Sequence, residues 1–255
     1  MYSKKYIETR LLQHFSGKET FSREELFDFL RQFEPDLKES TLAWRIFDLK
    51  QKDRIKDVAK GIYSLEHKRP FKPQADDLIN KIGSLITNSF LFNSCNIWTT
   101  AWLNDLTELQ ATSFLYLVEV DRGSMEQVFF LLKDKGHFSN VFINPDSKVI
   151  EHYISEQPNA IIVIPMISRA PTMKVNGITI PTLEKILVDL YCDPRLYFAF
   201  QGQQLDNIFE TALSGYEINY SRMLNYAKRR NRDDDLKEFL RKNQNLRKVV
   251  SSIIE

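Results

Sequence analysis

The sequence predicts an α+β fold in two parts, and three observations predict it. Helical periodicity fills Tyr6 to Leu49 and then gives way to a β-type pair around Gly61. A basic segment with two prolines follows, His67-Lys-Arg-Pro-Phe-Lys-Pro-Gln-Ala, and proline stiffens such a stretch and biases its neighbours away from helix. Beyond it, short strand-forming runs precede helical patterning that continues from Pro181 to the end.

In the first part, Tyr6, Ile7, Leu11, Leu12 and Phe15 recur at helical spacing, and Gly17 ends the run. Ser22-Arg-Glu-Glu reads as a capping box, with Ser22 as the cap and Glu25 at the third helical position. Leu26, Phe27, Leu30 and Phe33 form the apolar face of that helix, and Pro35 stops it. A third helix is expected from Ser40, with Leu42, Ile46 and Leu49 turned inward. Arg54-Ile-Lys-Asp-Val and Ile62-Tyr-Ser-Leu flank Lys60-Gly61 and make a hairpin.

Helix, helix, helix, hairpin is the order of a winged helix-turn-helix, placed here at Met1–Lys68. In that fold the third helix enters the major groove. Thr41, Arg45, Asp48 and Lys52 form one polar stripe on it, and Ser40 and Trp44 flank its start. Lys56 and Lys60 lie on the wing, where a cation can meet a phosphate. Ser40, Thr41, Trp44, Arg45, Lys52, Lys56 and Lys60 are therefore the expected contacts to double-stranded operator DNA. A protein-interaction module has the same elements, and Trp44 and Phe47, which project away from the core stripe, suit a base contact or packing on the second part.

The second part, from Lys72 to Glu255, is expected to be a larger mixed α/β domain with a small sheet and a helical C-terminal part. Asp77–Thr87 and Thr99–Leu106 read as helices, the latter with a Thr cap. Phe114–Val120, Val141–Asn144 and Ala160–Pro165 read as strands, the last two short and apolar as buried strands are. Gln127–Lys133 fits helix or strand. Thr182–Tyr191, Leu205–Leu213, Ser221–Arg230 and the chain from Leu236 onward read as helices. Lys185 and Asp189, four residues apart, are expected to pair on the outer face of the first of these, for about 0.3 kcal/mol. Glu184, Lys185 and Asp189 read as scaffold there.

The net charge of +1 conceals an uneven distribution. Met1–Lys72 carries 16 basic and 12 acidic residues, Pro73–Ser221 carries 9 and 17, and Arg222–Lys248 carries 10 and 4. Two basic ends around an acidic middle point to an anionic partner. Within the last segment Arg222, Lys228, Arg229, Arg230 and Arg232 crowd together. Lys228, Arg229, Arg230 and Arg232 are the expected partner-binding patch, for a protein or for nucleic acid, although the nearby aspartates or the acidic middle could also pair with them.

Several function classes find no support in the residues. Two cysteines, Cys95 and Cys192, make no disulfide scaffold, and no Cys/His cluster marks a metal site. Glycine never clusters into a phosphate cradle, and neither a Gly-x-Ser-x-Gly elbow nor His-Glu-x-x-His occurs. The histidines His14, His67, His137 and His152 sit in unrelated contexts. Glu119, Asp121, Glu126, Lys133 and Asp134 are the nearest approach to a metal-dependent nuclease, without its usual spacing. No catalytic residue, metal or cofactor is expected. Met1-Tyr-Ser-Lys-Lys has no apolar run behind it and no stretch is long enough to span a bilayer, so a cytoplasmic protein without membrane contact is expected.

Four segments carry a family resemblance. Arg54-Ile-Lys-Asp-Val-Ala-Lys-Gly-Ile-Tyr-Ser-Leu resembles the wing of the AbiEi-like antitoxins, and Trp98-Thr-Thr-Ala-Trp-Leu-Asn resembles the segment that opens their C-terminal domain. Pro181-Thr-Leu-Glu-Lys-Ile-Leu-Val-Asp-Leu is similar to their Thr-x-Glu-Lys/Arg-x-x-x-Asp helix, and Ile218-Asn-Tyr-Ser-Arg-Met-Leu-Asn-Tyr-Ala-Lys-Arg-Arg to a late helix of the group. The order and spacing of these segments cover most of the chain. The resemblance implies an autoregulator that binds its own operator and an antitoxin that counteracts a nucleotidyltransferase-like toxin encoded nearby, a phage-defence arrangement. The alternative is a stand-alone winged-helix regulator whose second domain binds a ligand or a protein.

Overall fold

The computed structural model describes residues 3–90, 95–108, 111, 113–155, 157–243, 246–247 and 250. The protein is a mixed α+β chain of small sheets and many helices. It opens with α1 (Lys4–Phe15), β1 (Phe21–Ser22), α2 (Arg23–Arg31), α3 (Glu39–Gln51), β2 (Lys56–Ala59) and β3 (Ile62–Ser64). The capping box forms as read: Glu25 N donates to Ser22 Oγ at 3.0 Å, and Ser22 N donates to Glu25 Oε2 at 2.7 Å. α3 starts one residue before the expected Ser40. β1, β3 and β2 form a small antiparallel sheet in that order.

Leu11, Phe15, Phe21, Leu26, Leu42 and Ile55 meet in one core under these elements, with the Phe15 and Phe21 rings stacked at 4.0 Å. Each such buried side chain contributes about 1.5–3 kcal/mol relative to exposure.

The rest of the chain contains α4 (Asp77–Ser89), β4 (Cys95–Thr99), a 3-10 turn at Thr100–Asp105, β5 (Leu115–Val120), α5 (Met125–Asp134) and β6 (Val141–Ile143). Then come α6 (Ser147–Val149), a π-helical turn at Ile150–Ile154, β7 (Ala160–Pro165), β8 (Thr172–Val175) and β9 (Ile178–Pro181). The helices α7 (Leu183–Cys192), α8 (Gln203–Gly215), α9 (Tyr220–Arg229) and α10 (Asp233–Lys242) follow. Gln127–Lys133 thus lies within a helix. The expected helix from Thr99 is a 3-10 turn that Thr99 caps, preceded by strand β4.

One sheet has the order β4-β5-β7-β6, with β5, β7 and β6 mutually parallel and β4 antiparallel at the edge. Alternation along the strands sends side chains into two cores. Tyr116, Val118, Ile161 and Val163 meet α4 and α5 on one face. Leu117, Ile162 and Trp98 meet α7 and α8 on the other. Glu119, two residues after Leu117, points to this second face. β8 and β9 form a separate hairpin about Asn176-Gly177, both with positive φ, as a tight two-residue turn requires.

The two parts are joined by a packed seam. Val58, Ala59 and Ile62 of the first hairpin pack into the core formed with α7, α8 and α9. Lys60 N donates to Ser221 Oγ at 2.8 Å, and Lys68 Nζ donates to the Leu213 carbonyl at 2.8 Å. The proline-bearing segment is pinned as well. Arg69 exchanges backbone hydrogen bonds with Gly215 and Glu217, and its guanidinium lies 4.2 Å from the Tyr216 ring centroid.

Candidate functional site

α3 presents an outer face made by spacing alone. Leu42, Ile46 and Leu49 face the core, which leaves Ser40, Thr41, Trp44 and Phe47 outside. Trp44 is 52% exposed and Phe47 58%, high for large aromatic side chains. Lys4 Nζ lies 4.9 Å from the Trp44 ring centroid, which brings a cation to this face.

The cations expected beside that face are mostly engaged. Arg45 turns to Glu34 Oε1 at 2.5 Å and is only one-fifth exposed. Lys52 reaches Glu8 at 2.7 Å and Asp48 at 2.9 Å. Lys56 holds Asp53 at 2.6 Å and Glu217 at 3.2 Å. Lys60 stays exposed at the hairpin turn, and among the described residues no ion pair engages its ammonium. The more exposed Lys56–Asp53 pair contributes about 0–1 kcal/mol, whereas Arg45–Glu34 is largely covered.

The late basic patch does not remain one surface. Arg230 is drawn into the interior, where Nη1 meets Asp189 at 2.7 Å and Nη2 meets Asp193 at 2.6 Å. Arg232 pairs with Asp235 at 2.7 Å. Lys228 and Arg229 stay exposed on α9. Arg169, far away in sequence, joins them across an open cleft, a neighbour the sequence reading did not find.

A second constellation was also missed. α7 is buried on every side from Leu183 to Leu190, so the Lys185–Asp189 pair is interior and not on an outer face. Lys185 Nζ, 1% exposed, donates to Glu119 Oε1 at 2.6 Å and to Asp189 Oδ2 at 2.5 Å. Trp98 Nε1 donates to the same Glu119 oxygen at 3.2 Å, and Tyr226 OH to Asp189 Oδ1 at 2.8 Å. Glu184 Oε1 accepts from Asn219 N at 2.9 Å, which ties α7 to the start of α9. The network joins strand β5, helix α7 and helix α9. It borders a cleft of about 560 Å³ that Asn144, Ser147, Pro165 and Arg195 also line, at the carboxyl ends of β5, β6 and β7.

The charges in this network hold one another. Burial opposes the Lys185 ammonium, but the Asp189 and Glu119 carboxylates outweigh it and keep the lysine above its ordinary range. Burial lifts the Glu119 carboxyl above the usual carboxylate range, against the pull of Lys185. Lys185 occupies the space between two carboxylates, and among the described residues no group of three or more His, Cys, Asp or Glu side chains is arranged for a metal. Asp121, Glu126, Lys133 and Asp134 are exposed while Glu119 is interior, so the nuclease-like constellation does not converge.

Alkaline pH should expose the energetic weight of this interior. Burial raises Tyr197, Tyr220 and Tyr226 above the ordinary 10.0, and pushes Cys95 and Cys192 from 9.0 up to about 12 and about 11. Each group binds its proton more tightly folded than unfolded. That stabilisation is complete below the unfolded pKa and is lost as pH rises through the folded one, by up to about 1.4 kcal/mol per pH unit and group. The urea midpoint is therefore expected to fall steadily from about pH 9 upward. A midpoint unchanged between pH 8.5 and 10.5 would contradict this account, since burial would then not be holding these protons.

The fold is thus an α+β chain with a surface-exposed third helix, a basic cleft and a buried charge network. The sequence matches DUF6577, described as a family of unknown function, over residues 41–246, and the chain belongs to that family. No curated protein matches the sequence. Among the described residues no helix is long and apolar enough to cross a membrane.

Proposed function

We propose that the protein is a DNA-binding autoregulator whose N-terminal elements work as a winged helix-turn-helix, and that its second part acts as an antitoxin against a nucleotidyltransferase-like toxin encoded nearby, in the cytoplasm. The observation that carries the DNA-binding reading is the outer face of α3. Ser40, Thr41, Trp44 and Phe47 stand free on a helix braced by α1 and α2, with the β2–β3 hairpin beside it. A helix so mounted fits a major groove, and its polar and aromatic side chains can meet base edges and thymine methyl groups. The antitoxin reading rests on the resemblance of four segments to AbiEi-like antitoxins. Two of them, Pro181–Leu190 and Ile218–Arg230, meet through Asp189, Tyr226 and Arg230.

The cleft of about 560 Å³ favours one further reading, a regulator that senses a small ligand. Open α/β sheets bind ligands at the carboxyl ends of their strands, where this cleft lies. Two measurements separate these readings. The full chain should bind DNA upstream of its own gene in preference to random duplex of equal length, and its co-expression with the neighbouring gene's product should restore growth. Equal binding to both duplexes would remove the regulator. Preferential binding without growth rescue would leave the ligand-sensing regulator.

A further inference from the structure

The sites expected to grip DNA phosphates are short of free charge. On α3 and the adjoining hairpin, Arg45, Lys50, Lys52 and Lys56 all have carboxylate partners. A duplex binder needs cations that can release the counterions of the phosphates it covers. The structure gathers such cations elsewhere. Arg169, Arg222, Lys228 and Arg229 line an open cleft of about 700 Å³, together with Asn219, Ser221 and Asn225, and among the described residues no acidic side chain lines it. Among the described residues Arg169, Lys228 and Arg229 take part in no ion pair, and Arg222 has only a 3.5 Å contact to Glu184. Asp234, the acid that feels Lys228, is itself paired with Lys237 at 2.9 Å.

The cleft is continuous with the hairpin. Lys60 N bonds Ser221 Oγ, and Ser221 is one of the lining residues. The Lys60 backbone therefore borders the cleft, and its side chain is exposed. Along α9, Arg222, Asn225 and Arg229 recur on one helical face over about 10 Å, so two guanidinium groups and an amide follow one line away from the hairpin.

We propose that this cleft is a phosphate-backbone clamp for double-stranded DNA, which carries the contact of the hairpin onto α9 and the β7–β8 turn. The inference rests on the DNA-binding reading above and adds to it a site in the second part of the chain. Lys60, Arg169, Arg222, Lys228 and Arg229 hold phosphate oxygens, while Asn219, Ser221 and Asn225 supply neutral donors. Backbone contacts of this kind fix register without reading sequence. The clamp therefore sets affinity, and α3 sets preference.

The test uses the full chain carrying Arg169→Asn, Lys228→Gln and Arg229→Gln together. Asparagine suits the left-handed backbone at position 169, where φ is 55°. None of the three side chains supports the core, so the melting temperature should stay within about 2 °C of the wild type, as for surface changes generally. Binding to a random duplex and to the DNA upstream of the gene is measured from low to moderate salt. Loss of three phosphate contacts should lower the slope of log affinity against log salt by about 2.7 on both duplexes, and weaken binding at least about tenfold near 0.1 M salt. The ratio between the two affinities should not change.

An unchanged slope in a variant that melts like the wild type would overturn the clamp. If that variant also failed to protect cells from the toxin, the cleft would belong to the toxin instead. Equal wild-type affinity for both duplexes, with the slope still lost in the variant, would sustain the clamp and remove the sequence-specific regulator. A wild-type chain that binds neither duplex at low salt would overturn both.

Discussion

Lys185→Met is expected to lower stability by about 3–5 kcal/mol, the range found when one partner of a buried ion pair is removed. The substitution keeps most of the apolar stem of the side chain but leaves the Glu119 carboxylate without a cation, and leaves Asp189 to Arg230 and Tyr226 alone. Glu119 and Asp189 are 2% and 4% exposed; the ammonium between them offsets the burial of Glu119 and shares Asp189 with Arg230. Differential scanning calorimetry should show a fall of roughly ten degrees or more in Tm. Adding Glu119→Gln to Lys185→Met should recover part of the loss, because the carboxylate left without a cation is then gone. A single variant within about 1 kcal/mol of the wild type would show that water reaches the network and solvates these charges.

Trp44→Ala combined with Thr41→Ala should weaken binding to the upstream DNA by about 1–3 kcal/mol for each base contact removed, or roughly tenfold to a hundredfold. Binding to random duplex should change much less, since neither side chain offers a charge to phosphate. Both residues are exposed on α3, so the folded state loses no core contact. Fluorescence anisotropy with both duplexes decides the matter. A uniform loss on both would place these side chains against the backbone, and no loss on either would move the reading surface away from α3.

Local chemistry was legible in the sequence wherever a rule acts over a few residues. Ser22 and Glu25 announce a capping box, and that box forms. The apolar spacing of Leu42, Ile46 and Leu49 announces which side of α3 is buried. Asn176-Gly177 between β-type residues carries a hairpin signal of equal strength, and the β8–β9 hairpin that it closes was nevertheless passed over. Strand β4 was missed because Trp98-Thr-Thr-Ala fits a capped helical start as well as a strand end, and the chain uses both.

The charge network was illegible for a different reason. Glu119 and Lys185 are separated by 66 positions, and no periodicity within one element reports on a partner in another. The pairing of Lys185 with Asp189 was readable from their spacing, but its depth was not. Amphipathic patterning assigns charged positions to solvent, whereas α7 is enclosed by the sheet on one side and by α8 and α9 on the other. The one cue in the sequence was the density of Leu, Ile and Val around those charges, too high for a helix with a wet face. Arg230 shows the same limit in reverse, since a residue in a basic run reads as surface until Asp189 and Asp193 claim it.

The seam between the hairpin and α9 has a consequence for anyone who would treat the N-terminal elements as an exchangeable cassette. Val58, Ala59 and Ile62 belong to the larger core, although the chain does not leave the first part until the proline segment beyond them. A chimera cut within that segment would carry these side chains away and leave the larger core without their cover, while a foreign hairpin would arrive with the wrong shape for the gap. Successful grafts would have to transplant a three-dimensional boundary, with the hairpin strands kept from the recipient and only α1 to α3 replaced.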